Sequence, residues 1–110
     1  MNDVILVMTN APDAAEATKM GAALVEQKLA ACVNILGACQ SLYRWEGKIE
    51  TAREVPLIIK TTRARYAEVE TFIRSSHVYA VPEIIVLPVE QGLPAYLDWV
   101  RAETAAPINA

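Results

Sequence analysis

The sequence predicts an α+β domain with the ferredoxin-like βαββαβ arrangement: an antiparallel sheet, two helices across one face, a long central hairpin and an extra C-terminal helix. Three observations lead there. Apolar runs of strand type alternate with stripes of helix type in the order β-α-β-β-α-β. Glu46-Gly47 separates two extended runs, and glycine takes the positive φ that a tight hairpin turn demands. A last amphipathic stripe follows Pro94, a residue suited to a first helical turn. The 110 residues make one domain, 1–110, with no linker, repeat or low-complexity stretch.

Each element has its own signal. Val4 to Met8 is a continuous apolar run, as expected of a strand covered on both faces. Asn10-Ala11-Pro12-Asp13 breaks it, and Asp13 with Glu16 has the form of a capping box. The helix that follows stripes Ala17, Met20, Gly21, Leu24 and Val25 against Glu16, Lys19 and Glu26, and is expected to end near Leu29. Cys32 to Trp45 and Lys48 to Thr61 are the hairpin arms, and Pro56, which has no N–H, marks an edge or a bulge in the second. Thr62 is placed to cap a helix striped by Tyr66, Val69, Phe72 and Ile73 and closed by Ser75-Ser76-His77. Glu83 to Val89 reads as a strand around Ile84-Ile85-Val86-Leu87. Leu93, Tyr96, Leu97 and Val100 form the final stripe, and the tail from Thr104 is expected to fray.

Composition narrows the function. At 54% hydrophobic and 21% charged the chain is globular, and it is apolar enough to point to subunit contacts. A net charge of −3, with no Lys/Arg cluster, argues against nucleic acid as a partner. Cys32 and Cys39 match neither a zinc knuckle nor a redox pair and read as reduced packing residues. No apolar run approaches the roughly 20 residues of a membrane span, and no leader of secretory type is present, so a cytoplasmic, membrane-free protein is expected.

The hairpin is the most informative feature. Arms of about 14 residues at ~3.3 Å each would reach roughly 45 Å, beyond the width of a compact domain this size. Two modest helices cannot cover the far end, which carries Tyr43, Trp45 and Ile49. Either sister chains sheathe it, or bulges near Gly37 and Pro56 fold it back over its own sheet. The first alternative predicts a homo-oligomer.

Several segments taken in order closely resemble the CutA divalent-cation-tolerance proteins: Ala30-Ala31-Cys32-Val33-Asn34, Ser41 to Glu50, Ile59-Lys60-Thr61, His77 to Ile85 and Tyr96-Leu97-Asp98-Trp99. The resemblance implies a homotrimer joined through the long strands, an architecture like the PII signalling proteins, and binding of Cu(II) or another divalent metal. Two departures stand out. Val78 occupies the place of the family's usual proline, and Met8-Thr9-Asn10 stands where some members carry a cysteine proposed as a copper ligand. Imidazole, carboxylate and thioether donors are what remain.

His77 is the only histidine. With Glu83 it offers an N/O pair suited to Cu(II) or Zn(II), or it simply caps the helix before it. Glu50, Lys60 and Tyr79 match family positions near intersubunit clefts, where they either hold a small ligand or form an ion-pair network. Tyr43, Trp45, Ile49 and Trp99 are expected at the trimer interface. Catalysis is not expected: the glycines are isolated, no nucleophile elbow is present, and a Cys32–His77 dyad rests on residue type alone. The leading expectation is a trimeric cytoplasmic metal-binding protein, non-catalytic, whose downstream protein partner is unknown. The alternative is a PII-like binder of a small metabolite.

Overall fold

β1 (Val4–Ala11) lies at the centre of the molecule because its apolar run leaves no polar face for solvent. The computed structural model describes residues 3–106; those at either end, including most of the tail expected to fray, lie outside the described residues. α1 (Ala14–Glu26) follows, opened by the Asp13 carboxylate, which accepts from the Glu16 N–H at 2.8 Å. Then come β2 (Cys32–Ile35), β3 (Cys39–Trp45), β4 (Lys48–Thr62), α2 (Tyr66–Ser76), β5 (Ile85–Pro88) and α3 (Pro94–Glu103). The sheet runs β2-β4-β1-β5, with β3 paired to β4 beyond the end of β2. The antiparallel α+β architecture is the expected one.

Four local expectations are corrected. The arm 32–45 is two strands, broken at residues 36–38. Pro56 supplies the reason. Its carbonyl accepts from the Leu36 N–H at 3.0 Å, so the side of β4 on which it lacks an N–H faces the break. α1 stops at Glu26, where Lys28 turns to φ 60° and the Leu29 N–H folds back to the Leu24 carbonyl. Thr62 makes no side-chain cap: it stays extended and leads into a 3₁₀ turn, Arg63–Arg65, ahead of α2. Thr104 does not fray. It is buried, its hydroxyl bonded to the Val100 carbonyl at 2.8 Å.

Alternation along β1 and β4 creates two unlike faces. Ile5, Val7 and Ala11 with Val55, Leu57 and Ile59 point to α1 and α2, forming the main core with Leu24, Val69 and Ile73. On the other face α3 covers only one end, through Val4, Ala31, Leu97 and Val100. Leu6 and Met8 beside it are only partly covered, and Ile85 and Leu87 are exposed. No helix of the described residues is long and apolar enough to cross a membrane.

The β3–β4 ribbon projects from this body. Glu46 (φ 49°) and Gly47 (φ 78°) form its turn, with positive φ at both central positions as a two-residue hairpin requires. The molecule measures 50 × 30 × 23 Å, with a radius of gyration of 14.9 Å against about 13 Å for a compact chain of this length. The ribbon does not curl over its parent sheet.

Candidate functional site

Directly opposed residues share a ribbon face, so the pairing sorts the side chains. Ser41, Tyr43 and Trp45 stand with Ala52, Glu50 and Lys48 on one side; Leu42 and Arg44 stand with Thr51 and Ile49 on the other. Where the first side meets the body, the segment 79–83 approaches it and a recess of about 770 Å³ opens. Tyr43, Trp45, Tyr79, Glu54, Glu83 and Asn10 are its principal lining side chains.

A short chain of hydrogen bonds fixes the wall of this recess. The Tyr79 N–H donates to His77 Nδ1 at 3.1 Å, which leaves the ring proton on Nε2, where it is donated to the Asn10 carbonyl. The Asn10 side-chain amide in turn donates to Glu83 Oε1 at 3.2 Å. The His77 and Tyr79 rings pack with centroids 4.5 Å apart. Tyr79 has its phenol pushed above the ordinary tyrosine value, first by burial and then by the charge and hydrogen bonding of Glu54. Glu54 is only 8% exposed, an unusual setting for a carboxylate.

The residues anticipated from sequence separate into groups. His77 and Glu83 do come together, bridged by Asn10. Both nitrogens of His77 are committed, however, and no group of three His, Cys, Asp or Glu side chains gathers among the described residues. The described residues of a single chain therefore do not gather a metal centre. Glu50 and Lys60 lie ten residues apart on β4, roughly 33 Å along the strand, so one chain cannot bring them into a shared cleft with Tyr79. Lys60 instead sits 5.7 Å from the ring of Tyr96, on the α3 side. Tyr43 and Trp45 line the recess, Ile49 faces away from it, and Trp99 stacks on Tyr96 at 5.5 Å across the molecule.

Asn10 and Glu54 were not legible as site residues. Asn10 reads as a chain breaker, and Glu54 looks no different from the exposed Glu46 and Glu50 nearby. The one available signal was that Glu54 immediately precedes Val55, where the alternation of β4 passes into the buried sheet.

A family model described as CutA1 divalent ion tolerance protein matches residues 5–103. The chain belongs to that family. The divalent-cation tolerance protein CutA of Thermus thermophilus is 39% identical over 104 residues, covering 94% of this chain and 99% of its own length. The crystal structure of CutA from Xylella fastidiosa superposes with a TM-score of 0.91 at 41% identity, covering 94% of this chain and 99% of that one. The periplasmic divalent cation tolerance protein CutA of Archaeoglobus fulgidus matches with a TM-score of 0.89 at 40% identity, over 92% of this chain and 98% of its own. The resemblance stated from the motifs is thus a family membership.

Proposed function

We propose that this chain serves divalent-cation tolerance as a cytoplasmic homotrimer without catalytic activity, in which sister chains cover the ribbon and the open sheet face. One observation carries the reading. Leu42 and Ile49 are 67% and 70% exposed on a ribbon that its own body does not cover, and Ile85 and Leu87 extend the apolar surface onto the sheet. Surfaces of this kind are association sites or aggregation hazards, and assembly resolves the hazard. Family membership supports the cation-linked role.

Cu(II), or another divalent ion, binds at His77 and Glu83 with further donors from a neighbouring chain. His77 must give up one of its two hydrogen bonds to become a ligand, so the segment 78–83 shifts as the ion enters. The test is calorimetric titration of Cu(II) into the untagged protein, together with its mass by light scattering. A trimer mass is expected, with Cu(II) affinity falling at least tenfold in His77→Ala and more modestly in Glu83→Gln. A monomer at micromolar concentration sinks the assembly; unchanged Cu(II) affinity in both variants sinks the metal assignment.

A further inference from the structure

Two opposite charges in this chain have no ionic partner, and they stand too far apart to reach each other. Glu54 is only 8% exposed in the recess, where Tyr79 hydrogen-bonds it but no lysine or arginine is among the lining residues. Lys60 is half-buried on the sheet face that α1 and α2 leave open, directly opposed to Leu6 on one side and Cys32 on the other. Among the sheet pairs of the body it is the only charged side chain on that face. Its ammonium lies 5.7 Å from the Tyr96 ring and belongs to no ion pair among the described residues. Six residues of β4 separate Glu54 from Lys60, roughly 20 Å of extended strand.

We infer that the two charges meet across chains: the Lys60 ammonium of a sister chain enters the recess and pairs with Glu54. This rests on the assembly proposed above, in which sister chains cover both the ribbon and the open sheet face. Covering that face takes water away from Lys60, and a buried ammonium is costly unless a carboxylate meets it. Glu54 is the carboxylate already withdrawn from water, so most of its own desolvation has taken place within its chain. Glu83 is bonded to Asn10 and stays beside His77, and Glu50 is solvated on the exposed ribbon. The rings of Tyr43 and Trp45 line the same recess and suit the aliphatic stem and the charge of a lysine. Because acceptor and donor belong to unlike patches, the contact is heterologous, and three such contacts close a ring. The recess is therefore incomplete in one chain: its counter-ion comes from the next.

The test is a double-mutant cycle read on assembly, with Glu54→Gln, Lys60→Met and the double variant compared with the parent. A chelator is present throughout, so that the proposed metal site plays no part. Light scattering over a dilution series, at one urea concentration that partly dissociates the parent, gives the protein concentration at which half of the chains are free. Each single variant should raise that concentration at least about tenfold, because each leaves a buried charge without its partner. The double variant should stand within about threefold of the weaker single one. Glu50→Gln should stay within about threefold of the parent, and Lys60→Arg, which keeps the charge, should retain most of the association. Lys60 is half-buried in one chain, so Lys60→Met and Lys60→Arg test the pair even where Glu54→Gln folds poorly. Losses that multiply in the double variant, single variants equal to the parent, or a loss in Glu50→Gln in place of Glu54→Gln would each overturn the pairing and leave the assembly standing. A parent that is monomeric without urea would remove both.

Discussion

Residues 55–62 of β4 run between β1 and β2 beneath two helices, whereas residues 48–54 of the same strand pair with β3 alone. In the first stretch Leu57 and Ile59 are fully buried; in the second Ile49 is 70% exposed although it is just as apolar. Both halves are strand, although the outer one, Lys48 to Glu54, holds fewer β-formers than the inner one. What differs is the neighbourhood, since backbone pairing extends a strand regardless of whether anything covers its faces. The covered half makes the domain stable, and the bare half leaves an uncovered apolar surface and a recess at its root.

The contrast can be broken by direct measurement. The largest effect is expected in the core: Ile59→Ala should cost about 2–5 kcal/mol in chemical unfolding, while Ile49→Ala costs less than about 0.5 kcal/mol in any dissociated chain. Equal losses at the two positions would erase the distinction. Charging the outer ribbon face with Leu42→Asp and Ile49→Asp together should lower the solution mass while circular dichroism keeps its helical signal. A mass that stays equal to the parent's would show that this face is not an interface. At the ribbon tip, Gly47→Val forces a β-branched residue to φ 78° and should destabilise by about 1–2 kcal/mol, read as a lowered melting temperature.

The smallest effect belongs to the opposite end of the molecule. Arg101 Nε donates to Asp3 at 2.7 Å, and that hydrogen bond is the main cause holding the Asp3 carboxyl below its ordinary value of 3.8. A depressed carboxylate stabilises above its unfolded value and loses that contribution as pH falls through the folded one. Asp3→Asn should therefore melt slightly below the parent near neutral pH, and the two curves should converge as pH falls through the lowered carboxyl value. A difference that persists in acid would mean that Asp3 acts through something other than its charge.

Much of the architecture was legible because its signals are local. Asp13 with Glu16 announced α1, Glu46-Gly47 announced the turn, and Pro56 announced an interruption that the structure places opposite residues 36–38. Boundaries were less so, as the early stop of α1 at Glu26 illustrates. The site was half legible. Tyr79, Glu83 and His77 stood out through family motifs, but Asn10 and Glu54 join them from distant strands, and Glu50 and Lys60, which the motifs place near intersubunit clefts, lie roughly 33 Å apart on one chain (roughly 3.3 Å for each of ten residues).

By itself the amino-acid sequence determined the order of the elements, the turn of the ribbon and the surplus of apolar surface, because periodicity, turn chemistry and composition are properties of neighbouring residues. Only the tertiary structure decided which face each ribbon side chain takes, that both His77 nitrogens are occupied, and that a buried glutamate acts on a tyrosine 25 residues away in sequence. Those outcomes depend on register and on contacts such as Asn10 with Glu83, 73 residues apart, for which no short stretch of chain carries the information.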